Sequence, residues 1–563
     1  MKKRVKALAC LLAASMLAVP TAAYAGFETE VTYVGTDGPV VATTGGDVLG
    51  YKVDGTYRFL GIPYATAGRF EEPQPISWEN TYYALTYGTV CPVDSIDSIN
   101  FTEFVTPSAV TNQLYNEDCQ NLNIWTNSVD SSAKKPVIVW LHGGGFSNGS
   151  STELKYYDGE NLAKEGDVVF VSINHRLNML GFLDLSEYGE EYANSGNLGT
   201  MDMVAALQWV HDNIEQFGGD PDNVTIIGQS GGGAKVTTLC ALPAAQGLFQ
   251  KAIVESTAHD DYAEGNNQET AREVAALTME NLGVTTVEEL QNVEYAKLIA
   301  AGSEAIAAVK EEGSSYNWGP VVDGSYYPER SLVDGEFSEY GKDITMIVAS
   351  VLGEMSGNSI QLSKGLGMPE MWQGSSLSEE EALAKLEETY GEQAQAIADA
   401  FLAAYPDHEL GDALWVDTTF LEKSTEIVEA KAKQTEEGGA KVYQYVFAQD
   451  YACFGGVTPS HCAEIPYWTH NVEMIPELTY DRDEAYALEG ILSTAYVNFA
   501  YTGDPSQDGL EWQNYTLEEP ALMVFDTNSH LTSTEVYNLC DLMTGAGALT
   551  TDESKAAISN AAD

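Results

Sequence analysis

Basic residues are scarce. Twenty-seven lysines and arginines stand against 84 aspartates and glutamates, leaving a formal charge of −57 at neutral pH. A surface that acidic repels phosphate backbones and anionic headgroups, which excludes nucleic acid and membrane surfaces as partners. Cysteine is sparse too, seven in 563 residues, and no Cys-x-x-Cys or His-x-x-x-His spacing occurs. Neither a zinc motif nor a disulfide scaffold is therefore expected, and no metal or cofactor is assigned. Proline numbers only 19, and the 51 glycines follow no period, which excludes collagen-like and extended proline-rich segments. Beyond residue 25 no charge-free apolar run reaches membrane-spanning length. What remains is a chain 44% hydrophobic and 20% charged, able to bury a large core, so disorder is excluded as its main state.

The first 25 residues follow an order that folding does not need. Lys2, Lys3, Arg4 and Lys6 precede an apolar run over 7–19, then Pro20 and the small-residue exit Ala23-Tyr24-Ala25. This reads as a secretory signal cleaved before Gly26, placing the mature chain, 26–563, outside the cytoplasm as a single domain. Export permits disulfides, although a chain of this size needs them only as reinforcement.

Short alternating segments at 31–34, 48–53 and 57–60, separated by Gly-Asp and Asp-Gly, predict N-terminal antiparallel hairpins. The pattern then changes to short, mostly apolar runs at 137–141, 168–173, 224–227, 252–254 and 346–349, as in strands buried on both faces of a parallel sheet. Helical periodicity between them, clearest over 201–217, predicts an α/β fold with a mostly parallel central sheet and helices on both faces. Two stretches rich in Glu, Ala, Lys and Gln, about 260–340 and 356–435, read as helical insertions within the same domain.

The run at 224–227 leads into Gly228-Gln229-Ser230-Gly231-Gly232-Gly233 and then a helical segment. A strand that turns at once into a helix strains its corner residue and crowds its neighbours, so glycines must flank it. Ser230 would project its hydroxyl at a helix N-terminus, where negative charge is favoured. The strand at 137–141 ends in His142-Gly143-Gly144-Gly145. That loop, with no side chains in the way, can offer backbone N–H groups to an oxyanion; Gly144, Gly145 and Gly231 are the expected donors. A phosphate cradle is the competing reading, but no Lys-Ser or Lys-Thr follows the glycines. His142 is expected to hold the loop.

The chain resembles the type-B carboxylesterase and cholinesterase family of the α/β-hydrolase fold over nearly its whole mature length. Phe59-Leu60-Gly61-Ile62-Pro63, Asn116-Glu117-Asp118-Cys119, Asn174-His175-Arg176-Leu177, Phe217-Gly218-Gly219-Asp220-Pro221 and Phe499-Ala500-Tyr501-Thr502-Gly503 carry the likeness. The resemblance implies an ester-hydrolysing serine enzyme without cofactor, a Cys91–Cys119 disulfide, and structural ion pairs Arg69–Glu117 and Arg176–Asp202.

A serine hydroxyl needs a base to take its proton. Of eight histidines, His461 in Ser460-His461-Cys462-Ala463-Glu464 matches the family motif and follows the chain order serine, acid, histidine. The orienting carboxylate is assigned to Glu354, which follows the 346–349 strand at the family spacing although Ala349-Ser350-Val351-Leu352-Gly353 departs from the family's residues. Asp323 is the runner-up, and Glu464 is read as structural. Gln229 stands where many relatives carry glutamate, and the loop between Cys91 and Cys119 holds Phe101 and Phe104 but no tryptophan, so a cation-directed site of the cholinesterase kind is not expected.

The reading is a serine carboxylesterase acting on small neutral esters, with oligomeric state open and a monomer compatible. Two alternatives stand beside it. One is a plant cell-wall feruloyl or acetyl esterase of the same mechanism; the other is a catalytically silent, cholinesterase-like adhesion module. The first alternative often ties a cysteine before the serine to one after the histidine. Cys462 supplies only half of that, leaving Cys453–Cys462 as a possible pair. The acidic field makes one prediction. Raising ionic strength shortens screening from about 30 Å at 0.01 M to about 3 Å at 1 M, so kcat/KM for an anionic ester should rise across that range. The value for a matched neutral ester should stay level.

Overall fold

The computed structural model describes residues 38–93, 113–257, 265–354, 377–453 and 456–545. The expected signal at 1–25, the segment at 31–34, Phe101, Phe104 and His259 lie outside these. An 11-stranded sheet organises the described chain. Its strands are β1 (Tyr51–Val53), β2 (Thr56–Pro63), β3 (Asn121–Thr126), β4 (Lys135–Leu141), β5 (Val169–Ile173), β6 (Gly219–Gln229), β7 (Lys251–Glu255), β8 (Thr345–Val351), β9 (Val442–Phe447), β10 (Leu522–Phe525) and β11 (His530–Thr532). The spatial order is β11-β10-β9-β8-β7-β6-β4-β5-β3-β2-β1. From β5 through β10 neighbouring strands are parallel. The N-terminal strands β1, β2 and β3 and the terminal β11 pair antiparallel, and a separate hairpin joins Val40–Thr43 to Gly46–Leu49.

The period of two along each strand divides the parallel strands between two cores. Val137, Val139, Leu141, Val169, Val171, Val224, Ile226, Val254 and Val348 share one. Ile138, Trp140, Phe170, Ile227, Ile253, Ile347 and Phe447 share the other. Helices α1 (Leu198–Asn213) and α2 (Gly231–Cys240) cover the first face. The first insertion follows as α3 (Gln268–Leu282), capped by Asn267, and α4 (Tyr295–Glu311); these pack on each other and into that same core. The second region carries α5 (Glu379–Tyr390), opened by a Ser378/Glu381 capping box, α6 (Ala394–Ala404) and α7 (Thr418–Glu436). Helix α8 (Asp483–Thr502) covers the second face, and α9 (Glu535–Gly545) closes a third cluster with α5 and α6. No helix among the described residues is long and apolar enough to cross a membrane.

Two of the sheet strands that escape a search for continuous apolar runs do so for visible reasons. In β3 the buried Asn123 accepts from the Gly61 N–H at 2.9 Å and donates to Ser172 at 3.1 Å. Strand β9 buries Gln444, which donates to Thr425 and accepts from Tyr537. A buried amide whose hydrogen bonds are all satisfied costs little, so polar residues break the pattern without breaking the sheet.

Both implied ion pairs form. Arg69 meets Glu117 through two guanidinium N–H groups. Arg176 grips Asp202 bidentately, both contacts at 2.8 Å, while its own backbone N–H donates to the same carboxylate. The Asp202 side chain is fully buried and that of Arg176 only 3% exposed. Removing one partner of such a pair strands a buried charge. Asp202→Ala should therefore cost about 3–5 kcal/mol in urea unfolding, against about 0–1 kcal/mol for Lys134→Ala, whose partner Glu215 is nearly half exposed.

Candidate active site

Loops at the carboxyl ends of β4, β6, β8 and β9 bring the expected residues to one edge of the sheet, where α/β folds place their sites. Ser230 ends β6 and opens α2 with φ 59° and ψ −127°, a backbone region costing about 1–3 kcal/mol for a residue with a side chain. The strain is held in place: the Ser230 N–H donates to the Glu255 carbonyl at 2.9 Å, and Ala234 N–H donates to the Ser230 carbonyl at 3.1 Å. The motif glycines are required by close approach. A Cβ on Gly228 would stand 2.2 Å from the Gly232 carbonyl oxygen, and one on Gly232 would stand 2.1 Å from that of Leu141.

The glycine loop lies against this turn. Gly144 and Gly145 adopt left-handed φ values of 82° and 60°, and a Cβ on Gly231 would meet the Gly145 Cα at 2.2 Å. Among the described residues, the N–H groups of Gly144, Gly145 and Gly231 donate to no protein acceptor. Polar groups in such a confined place ordinarily find partners, so three undonated N–H groups beside one serine form a ready anion site. Behind the loop, the fully buried Lys235 ammonium donates to the His142 carbonyl at 2.8 Å. Burial pushes Lys235 down to about 7, with Glu153 opposing. His142 contacts the Gly143 carbonyl at 2.9 Å and stacks on His175 at 5.2 Å. Burial, Lys235 and His175 hold it well below the ordinary histidine range, so it serves as a neutral support for the loop.

Glu354 and His461 come together. The imidazole Nδ1 lies 2.5 Å from Glu354 Oε2, while Glu354 Oε1 accepts from the Val351 N–H at 2.7 Å and its carbonyl accepts from the His461 N–H at 2.9 Å. With Nδ1 committed to the carboxylate, Nε2 is left for proton transfer. The Ser230 hydroxyl makes no hydrogen bond to that ring; Gln229, one residue before it, bridges instead. The Gln229 amide nitrogen stands 3.3 and 3.4 Å from the two ring nitrogens, and its oxygen accepts from Cys462 Sγ at 3.1 Å.

None of the rival groups contacts the His461 ring. Asp323 accepts from Asn197, Ser325 and Tyr327 in a turn. Glu464 is buried, and burial next to Glu255 and Glu354 pushes its carboxyl well up. His211 is paired at the surface with Asp212, and His470 lies beside Ser493. Two contributors escaped sequence reading because only the fold brings them to His461. Phe420 covers the imidazole at 5.5 Å. Asp417 caps α7 through the Phe420 N–H, and burial beside Glu354 pushes it up to about 6. An Asp three residues before an aromatic at a helix start was the only available signal.

The expected disulfides are not formed. Cys91 and Cys119 are buried neighbouring thiols, with Cys119 pushed well up by burial and by its hydrogen bond with Cys91. Cys453 and Cys462 are unbridged as well, because Cys462 directs its thiol to Gln229.

Comparison with known proteins gives a consistent result. The profile of the carboxylesterase family matches residues 37–541. The para-nitrobenzyl esterase of Bacillus subtilis is 32% identical over 503 residues, 87% of this chain and 95% of that protein. A solved esterase of Clostridium hathewayi, described as able to hydrolyse aliphatic aromatic polyesters, is 38% identical with a TM-score of 0.82 over 92% of this chain and 99% of its own. A Geobacillus stearothermophilus carboxylesterase superposes with a TM-score of 0.68 at 31% identity, covering 89% of this chain and 99% of that one. With its parallel sheet, serine turn and glycine loop, the chain belongs to the carboxylesterase family, carboxylic ester hydrolases of the α/β-hydrolase fold.

Proposed function

We propose that Ser230, His461 and Glu354 are the catalytic triad of this esterase and that Gly144, Gly145 and Gly231 supply its oxyanion donors. The 2.5 Å Glu354–His461 contact beside the strained Ser230 turn carries the reading. Substrate binding brings the hydroxyl to Nε2, since resting sites often hold this contact open and tighten it in the complex. The serine oxygen then attacks the ester carbonyl as His461 takes its proton. The resulting oxyanion is met by the three N–H groups, while Glu354 stabilises the imidazolium. Collapse breaks the C–O bond, and His461 returns the proton to the departing alcohol. Water attacks the acyl-serine by the same route, releasing the acid and restoring Ser230.

Neutral esters are the substrates this site supports. Gln229 leaves no charge before the nucleophile, and the chain's acidic field disfavours anions. The uncharged polyesters named for the Clostridium hathewayi relative agree with this class. A silent adhesion module has no use for an intact acid–base pair, and a cell-wall esterase's cysteine tie is replaced by the Cys462–Gln229 hydrogen bond. Export through residues 1–25 belongs to the same proposal. In an oxidising compartment Cys91 and Cys119 are then the pair placed to close.

Ser230→Ala should lower turnover of a short-chain aryl ester by about 10⁴–10⁶-fold, and Glu354→Gln by about 10⁴-fold, with circular dichroism unchanged. An organophosphonate should label one serine per chain, and none in Ser230→Ala; full activity in that variant sinks the assignment. Lys235 gives a pH test. Above 10.5 it is neutral folded and unfolded; between 7 and 10.5 only the unfolded chain binds its proton, so folding stability climbs with pH in that window. Wild type should gain on Lys235→Met in urea midpoint from pH about 7 to about 9.5; parallel curves would refute the burial effect.

A further inference from the structure

A second cluster of ionisable side chains lies apart from Ser230. His408 Nδ1 stands 3.3 Å from Asp412 Oδ2 and 3.6 Å from Asp450 Oδ1, and one ligand atom from each residue falls within 4.8 Å of the others. On the far side of the ring, Nε2 is 3.2 Å from Asp526 Oδ2. The side chains of His408, Asp412 and Asp526 are 2–4% exposed. Asp450 Oδ1, Asp526 Oδ2 and His408 Nε2 are buried without any hydrogen bond of acceptable geometry.

Two buried carboxylates and a third, Asp450, only partly buried, around one imidazole pose a charge problem. Among the described residues no lysine or arginine forms a salt bridge with any of them; His408 is the one imidazole within ion-pair distance, with His530 acting on Asp526 from farther off. Even an imidazolium would leave buried negative charge uncompensated, which is costly unless something else neutralises it. The distances suggest what does. Ligands bound at about 2.0–2.1 Å in a tetrahedron stand about 3.3–3.4 Å from one another, close to the observed 3.3 and 3.6 Å. Metal-bound histidines characteristically direct their second ring nitrogen to a carboxylate, and carboxylate ligands are in turn hydrogen-bonded. Asp526 stands 3.2 Å from that second nitrogen, in the place such a carboxylate would take, and Thr458, whose hydroxyl donates to Asp412 Oδ1 at 3.0 Å, meets the second condition. Phe401 and Tyr405 pack edgewise on the imidazole at 6.1 and 5.8 Å, keeping that side apolar.

We propose that His408, Asp412 and Asp450 bind a borderline divalent cation, Zn²⁺ foremost, with Asp526 orienting the imidazole. One nitrogen and two carboxylate ligands suit zinc better than calcium, which prefers six or more oxygens. Asp450, 26% exposed, is the side from which the ion enters and a solvent ligand completes the sphere. The site is structural. Asp412 belongs to the 3₁₀ turn Leu410–Trp415, Asp450 follows β9, Asp526 follows β10, and Thr458 sits three residues before His461. A bound ion would tie the second insertion to the loop that carries the imidazole. The linear signal is faint, a His-x-x-x-Asp with its third ligand far downstream, which explains why sequence reading assigned no metal.

The test uses the full chain without a histidine tag, stripped with chelator and titrated calorimetrically with ZnCl₂, MnCl₂ and CaCl₂, with melting temperature followed in parallel. One Zn²⁺ per chain, preferred over Ca²⁺ and raising the melting temperature, is expected. Asp526→Asn should weaken it about 10–100-fold, and Asp450→Asn, at the exposed edge where folding is least affected, should abolish it. Because wild-type binding is measured directly, misfolding of a variant cannot mask the answer. Failure to bind Zn²⁺, equal preference for Ca²⁺, or full binding by a folded Asp450→Asn overturns the proposal. Ester hydrolysis by Ser230 can fail or succeed independently of any of these outcomes.

Discussion

One turn of backbone constrains this site more than any side chain. Strand β6 must become helix α2 within a single residue, in a gap walled by the carbonyl of Leu141 and the backbone of Gly145. The parallel register that sets Gly228 opposite Leu141 fixes the depth of that gap. Without the register the glycine loop after β4 would not reach Ser230. The left-handed serine, the small residues around it and the undonated N–H groups are consequences of forcing two chains past each other at this point. About 1–3 kcal/mol of strain survives there because buried strands on both sides, and the Glu255 carbonyl, leave the turn no alternative.

Sequence reading is strongest where chemistry and backbone demand the same residues. Gly228, Ser230, Gly232 and the 143–145 run are legible because sterics and the oxyanion both require them. Strands β4 to β8 are legible because burial on both faces leaves continuous apolar runs. Strands β3 and β9 are not, because Asn123 and Gln444 place satisfied amides inside the sheet. Pairs remote in sequence are equally opaque. Gln229 and Cys462 lie 233 positions apart yet share a hydrogen bond, and Phe420 reaches His461 only because α7 begins beside the β8 end. The unformed disulfides mark a different limit, since proximity of two thiols says nothing of their oxidation.

Four carboxyl groups gather behind the imidazole, and their environments separate them. Burial pushes Glu255 up to about 8 although Tyr496 and Tyr445 donate to it. Burial beside other acids likewise raises Glu464 well above the usual range and Asp417 to about 6. Glu354 alone has both the Val351 N–H and the imidazole on its oxygens. Like charges that close disfavour one another's ionisation, so Glu255 and Glu464 hold their protons more readily than an exposed carboxyl does, and neither of them occupies the position facing Nδ1, which belongs to Glu354.

The oxyanion then poses a conflict between scales, because a chain of formal charge −57 opposes any new negative charge. Distance resolves it. At physiological salt, exposed charges beyond about 8 Å are largely screened, whereas the N–H groups of Gly144, Gly145 and Gly231 and the N-terminus of α2 act at contact range inside a poorly solvated turn. Below pH about 7, where folded Lys235 keeps its proton, its ammonium on the His142 carbonyl behind the loop adds to the same side. Local preorganised dipoles thus outweigh a large but distant field at the reacting carbon. The same field, little screened at the mouth of the site in dilute buffer, would on the proposed reading disfavour substrates that arrive negatively charged.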